Sequence, residues 1–272
     1  MSEPTEEPLL FDTPAPGIRR VTFNRPDSYN AFMFEMFEQL VEWLRGVQYD
    51  TDVRVVVITG SGRGFCSGLD LKAGTPPPWA PAGVGPQHLD LYAMQEIRQV
   101  PLLMRDLPQP VIAAVNGPVA GIGLIFVLAA DLAVAAKSAR FVNAFHNVGI
   151  GTEAGVSYLL PRAVGTQRAA EILLTGRAVD ADEAARIGLV LETVPDEELM
   201  ARVIEVAGAM MINTPLDNWL TKQALHANAE AQSFARALDL DTRGVILART
   251  TADTAERRAA GQEHRHPNYG HR

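Results

Sequence analysis

Cysteine occurs once, as Cys66, in a chain of 272 residues. That excludes an intrachain disulfide framework, leaves too few thiolates for a structural zinc site and fits a reducing compartment. A long run of lysine or arginine is also missing, and the net charge is -8. Nucleic acid and anionic membrane surfaces are therefore excluded as main partners, since both demand a concentrated basic face. An anionic small ligand stays compatible where basic groups gather locally. No apolar segment reaches membrane-spanning length, and the acidic, proline-rich start "MSEPTEEPLLFDTPAPG" lacks the basic and apolar regions of a secretory signal. The expectation is a soluble, cytoplasmic protein. Tandem repeats and a dinucleotide-binding glycine fingerprint are absent as well. No carboxylate pattern frames the histidines of the tail "GQEHRHPNYGHR", so they are read as solvated and no metal is expected.

What the chain does hold is 47% hydrophobic residues, enough for one sizeable α/β core with an appendage. "GIRRVTF" alternates as a strand, and the apolar residues Phe34, Phe37, Leu40, Val41 and Leu44 predict an amphipathic helix over 31–47 that starts at Ser28 or Asn30. "VRVVVITGSG", "PVIAAVNGP" and "DLAVAA" read as strands buried on both faces. "GTPPPWAPAGVGP", Gly74 to Pro86, is expected to be a mobile loop, a candidate lid. From Gln167 onward the pattern is helical, with Asp180 and Asp196 as caps. The expected organisation is a flexible arm over 1–15, an α/β core over 16–200, a helical assembly region over 201–262 and a loose tail over 263–272.

Two loops share one logic. In "SGRGFCSGLDL" and in "NGPVAGIGL", a buried strand leads through glycines toward further structure. Each can aim backbone N–H groups into a common cavity, which is what an enolate or tetrahedral oxyanion requires. Tight turns alone explain the same glycines, and the residues do not decide between the two.

The segments "FNRPDSYNAF", "GFCSGLDLKAG", "PVIAAVNGPVAGIG", "LPRAVGTQRAAEILLTGRAVDADEAARIGLV" and the final helices resemble, in this order, the crotonase superfamily of enoyl-CoA hydratases and isomerases. The resemblance runs from about Gly17 to about Gly261. It implies an α/β fold, a crotonase-like spiral of ββα units with a C-terminal helical extension that assembles a homotrimer or hexamer. It also implies an acyl-CoA substrate whose thioester oxygen sits between two backbone N–H groups, and carried over residue by residue those fall on Leu69 and Ile122. Coenzyme A, the only cofactor implied and part of the substrate itself, would be contacted by Ser67, Leu71 and Lys72, with Ser28 nearby. Lys72 would offset phosphate charge; its alternative is an ordinary exposed lysine.

Hydratases of this superfamily use two glutamates to orient and deprotonate water. Here the corresponding positions hold Ile125 and Phe145, neither of which transfers a proton. In relatives lacking the pair, dienoyl-CoA isomerases and a chlorobenzoyl-CoA dehalogenase among them, an acidic residue occupies the position aligned with Glu153 in "NVGIGTEAG". Glu153 is thus the candidate catalytic acid or base, and a structural cap or a partner for Arg162 is its alternative. His146 is a rival base, with Phe145 expected to point inward from strand-like backbone and His146 outward. Proton transfer beside the carbonyl asks only for one carboxylate, so isomerisation ranks above hydration. A catalytically silent acyl-CoA-binding scaffold, and a hydrolase or dehalogenase with Glu153 as nucleophile, stand as the alternatives.

Overall fold

The runs Val55–Gly60 and Val111–Val115 have no polar face to offer water, and every residue in both is buried. They are β3 and β4, the middle of the main sheet in a computed structural model that describes residues 7–70, 81–145, 149–231 and 233–271. Around them lie β1 (Leu9–Ala15), β2 (Ile18–Phe23), β6 (Leu132–Ala136) and β9 (Glu192–Val194), in the order β1-β2-β3-β4-β6-β9. β1 pairs with β2 antiparallel, and all other neighbours are parallel. A small second sheet joins β5 (Val119–Ala120), β7 (Arg140–Val142) and β8 (Val179–Asp180).

Side chains alternate across each strand, so the buried runs feed two cores. Val56, Ile58, Val111, Ala113 and Val115 face a large cluster built with α1 (Phe34–Val47), α2 (Pro86–Asp106) and α3 (Ile122–Ala129). Val55, Val57, Ile112 and Ala114 face Leu199, Val203 and Ala207 of α7 (Leu199–Met211) on the opposite side. Phe32 is the hub of the larger core: its ring lies 4.8 Å from Phe23, 5.0 Å from Phe37 and 5.0 Å from Phe126. Between the sheets and the C-terminus run α4 (Val156–Val164), α5 (Thr166–Thr175) and α6 (Ala181–Arg186), followed after α7 by α8 (Pro215–Asn228), α9 (Phe234–Arg249) and α10 (Ala252–Gln262). The mixed α/β fold with its parallel-rich sheet is the architecture the resemblance implied.

Several expectations about the chain's organisation are corrected. Residues 9–15 are no flexible arm: β1 pairs with β2 from Leu9↔Phe23 to Ala15↔Ile18, and Leu9 is buried. Its prolines had read as loop, but Pro14 falls where the register shifts on an edge strand, one of the few places a sheet accepts proline. The tail is anchored too, since Tyr269 donates to the Ile212 carbonyl at 2.5 Å and the Gly270 N–H donates to Asp253 at 2.8 Å. A boundary at 200 cuts α7, which belongs to the core. The first helix starts at Phe34 because Pro26–Ser28 forms a short 3-10 turn and Tyr29 and Asn30 take left-handed backbone, with Asn30 hydrogen-bonded to three main-chain groups. Asp180 caps α6 as expected, whereas Asp196 accepts the Ser138 N–H at 3.0 Å instead of capping its own turn. Within the loop Gly74 to Pro86, residues 74–80 lie outside the described residues, and α2 begins at Pro86.

Candidate active site

Two asparagine side chains stitch the turn after β3. Asn116 accepts the Gly60 N–H at 3.0 Å and donates to the Gly62 carbonyl at 3.1 Å, while Asn30 donates to the carbonyls of Ser61 and Gly64 at 3.0 and 2.7 Å. From there, residues 65–68 run beside residues 118–121. The N–H groups of Phe65 and Cys66 both donate to the Pro118 carbonyl, and Ala120 N–H donates to the Cys66 carbonyl at 2.9 Å. At the end of this parallel track the two turns touch. Gly121 has φ +51, and a Cβ placed on it would lie 3.5 Å from the Cα of Gly68.

Each turn then presents one peptide. The Gly68 carbonyl accepts the Phe32 N–H at 2.8 Å, and the Gly121 carbonyl accepts the Leu124 N–H at 3.0 Å. In a trans peptide the N–H points opposite to its carbonyl, so the N–H groups of Leu69 and Ile122 are turned away from those partners. Neither has an acceptor among the described residues. Ile122 heads α3, where first-turn N–H groups are unpaired and the helix dipole favours negative charge. Two adjacent unpaired donors suit an oxygen that gains charge during reaction.

Close packing holds this arrangement. A Cβ on Gly123 would fall 2.5 Å from the Cys66 carbonyl oxygen. Gly123→Ala should therefore push α3 off the first turn and cost about 1–3 kcal/mol in chemical denaturation; an unchanged midpoint would mean that the helix does not depend on that approach.

The positions expected to carry hydratase glutamates lie here as carbon. Phe145 Cε1 comes 4.0 Å from where a Cβ on Gly121 would be, and Phe145 and Ile125 are both buried. Phe145 sits in a short 3-10 turn beyond the end of β7, so the strand-like backbone expected around it is corrected. His146, Leu71 and Lys72 lie outside the described residues.

Glu153 lies just before α4, in a turn where Ala154 and Gly155 take positive φ and its carbonyl accepts the Val156 N–H at 3.0 Å. α4 packs against α3, the helix that begins with Ile122. The Glu153 side chain is half-buried, and burial raises its carboxyl above the ordinary glutamate range. Among the described residues it has no side-chain hydrogen bond or ion pair, and Arg162 stacks instead on the Tyr158 ring at 3.5 Å. Burial without a partner is costly for a purely structural carboxylate.

Ser28 and Ser67 are brought together, with Ser67 Oγ donating to the Ser28 carbonyl at 2.9 Å. Beside them the Arg63 guanidinium lies 5.8 Å from the Tyr29 ring, a cation that sequence reasoning passed over. Cys66 is fully buried, with its thiol pushed up to about 12 by burial, so it remains protonated and unreactive. Asp70 pairs with Arg25 at 2.8 Å.

A family profile described as enoyl-CoA hydratase/isomerase matches residues 14–272. The chain belongs to the enoyl-CoA hydratase/isomerase family. It is 44% identical over 261 residues to a "probable enoyl-CoA hydratase" of Mycobacterium bovis, covering 95% of this chain and 91% of that one. It is also 36% identical to the 1,2-epoxyphenylacetyl-CoA isomerase of Escherichia coli K12, over 93% of this chain and 95% of that one. Among solved structures, a "probable enoyl-CoA hydratase/isomerase" from Mycobacterium abscessus superposes with a TM-score of 0.90 at 39% identity, covering 97% and 98% of the two chains. This chain is thus an enzyme of the enoyl-CoA hydratase/isomerase family, whose substrates are coenzyme A thioesters.

Proposed function

We propose that this family member is an acyl-CoA isomerase in which Glu153 shuttles a proton while the N–H groups of Leu69 and Ile122 hold the thioester oxygen. The observation that carries this reading is Glu153, half-buried and without a side-chain partner among the described residues, in the turn that leads into the helix packed on α3, in a chain where Ile125 and Phe145 stand at the positions expected for the hydratase glutamates. The Glu153 carboxylate removes a proton from the saturated carbon beside the thioester carbonyl, or in the reverse direction from the one next to the conjugated double bond, and the electron pair delocalises to the carbonyl oxygen as an enolate. The electrons return to the chain, the same carboxyl gives its proton to another carbon, and the double bond has shifted. One group performs both transfers, so no activated water is needed. A carboxyl raised toward neutrality suits both halves of that exchange.

Coenzyme A would lie along Ser28 and Ser67, with Leu71 and Lys72 continuing the same segment. The assembly would be a homotrimer or hexamer: α9 has no buried residue and exposes Phe234, Leu238, Val245, Ile246 and Leu247, an apolar content that an isolated chain leaves in water.

Incubation with a panel of enoyl-CoA esters in heavy water, followed by mass spectrometry and proton NMR, tests the reading. Deuterium entering the acyl chain with double-bond migration is expected. A water adduct without exchange at carbon would replace isomerisation by hydration. Tight ester binding with neither exchange nor product would favour a silent acyl-CoA-binding scaffold, and an acyl adduct on Glu153 would favour nucleophilic chemistry.

A further inference from the structure

The Arg25 guanidinium joins two segments that flank the Leu69 peptide. Its Nη1 donates to the Ala31 carbonyl at 2.5 Å and pairs with the Asp70 carboxylate at 2.8 Å. Between those anchor points Phe32 and Leu69 form an isolated parallel bridge: Phe32 N–H donates to the Gly68 carbonyl, and Asp70 N–H donates to the Phe32 carbonyl, both at 2.8 Å. One cation therefore ties residue 31 to residue 70 on either side of a single bridged pair. Arg25 is itself held, since its backbone N–H donates to the Asn30 side chain at 2.8 Å and its carbonyl accepts the Asn30 N–H at 2.9 Å. Phe32 cannot shift independently, because three phenylalanine rings surround it in the core.

We infer that the Arg25–Asp70 ion pair is the positioning device for the Leu69 N–H, fixing the direction in which that donor meets the thioester oxygen. This rests on reading the Leu69 and Ile122 N–H groups as the oxyanion hole. The physical reason lies in the number of restraints. The second donor belongs to a helix and is aimed by α3, whereas Leu69 belongs to no helix or extended strand. A peptide with a single bridge on one side can rock about it. An oxygen that gains charge rewards a donor held in a fixed direction, and rocking by a fraction of an ångström weakens the response. The pair is largely sheltered, with side-chain exposures of 24% for Arg25 and 12% for Asp70. The planar guanidinium meets a carbonyl and a carboxylate together, which a flexible ammonium does less well. Arg25 acts through Leu69 and touches no reacting atom.

Two variants test it, Arg25→Met and Asp70→Asn, the second keeping side-chain size and main-chain bonds should the first fail to fold. Crotonyl-CoA labelled at its carbonyl carbon is bound at saturation in the Glu153→Gln background, and the carbonyl stretch is read by difference infrared spectroscopy. The native hole should lower the stretch on binding, and either variant should reverse a large part of that shift. With Glu153 in place, kcat should fall about tenfold to a hundredfold while ester affinity stays within about threefold. The doubly substituted protein should be no worse than the single variants, since both remove one link. A folded variant that keeps the full carbonyl shift and native kcat overturns the positioning role and leaves the hole standing. Absence of any shift in the native protein overturns the hole and this inference with it.

Discussion

Glu153→Gln is expected to lower kcat by about a thousandfold, within the range by which a positioned general base accelerates proton transfer, with little change in thioester affinity. The amide keeps the shape of the side chain and cannot accept the proton. Activity of the unmodified protein should rise with pH through a value above the ordinary glutamate range, because burial raises this carboxyl and only its ionised form is a base. The same shift has a consequence for stability. A carboxyl whose folded value is raised favours the fold fully below its unfolded value, and that contribution is lost as pH rises through the folded value. Glu153→Gln should therefore raise the melting temperature more at pH 7 than at pH 4, while removing turnover. A variant with native kcat would take Glu153 out of the mechanism, and one that loses both activity and stability at pH 7 would make it a structural residue.

Lys222→Met should cost about 3–5 kcal/mol, the penalty for leaving a buried partner charge uncompensated. Lys222 is 4% exposed, and its three N–H bonds are spent on the carbonyls of Met104 and Gln109, at 2.7 and 3.1 Å, and on Asp131 at 2.8 Å. Asp131 in turn accepts the Val111 N–H at 2.8 Å and lies 3.4 Å from His226. One lysine on α8 thus binds the C-terminal helices to the end of α2 and the start of β4. At about 2–4 °C per kcal/mol for a chain of this size, the melting temperature should drop by about 10 °C. Asp131→Asn together with Lys222→Met should cost less than the sum of the two, since no lone charge remains. Burial alone would raise the Asp131 carboxyl, but the hydrogen bond from His226, the charge and hydrogen bond of Lys222 and the Val111 N–H outweigh it and hold the group below the ordinary range. The pair therefore stabilises the fold above the unfolded carboxylate value and is lost as pH falls through the lower folded one. Acid titration of the melting temperature should be steeper for the native protein than for the Lys222 variant, and parallel curves would show that the pair carries no net stability.

Much of the core was legible because it depends on local pattern. The β-branched runs of β3 and β4 can satisfy neither face with water, so a central buried strand is the solution open to them. The glycines at 68 and 121 were legible as turns, since few other residues adopt such backbone. Two of the errors share one cause, which is that a proline-containing segment and a polar segment were read without their partners. β1 looked like a loose arm until its edge position and pairing with β2 were known, and the tail looked free until Asp253 and Ile212 received it.

The order of motifs, the glycine turns and the presence of Ile125 and Phe145 where the resemblance expects two glutamates are properties of the sequence by itself, and they determined the family resemblance and the expectation of a departure from paired-glutamate hydration. Each follows from which side chains are present, and no contact is needed to know that phenylalanine transfers no proton. Only the tertiary structure decided that Gly68 meets Gly121, that Arg25 reaches Asp70 across 44 intervening residues, that Lys222 is buried against Asp131, and that Glu153 has no partner among the described residues. These are contacts between segments far apart in the chain. Their existence depends on how the strands stack and where each loop returns, and a linear pattern of residue types carries that information only through the fold it produces.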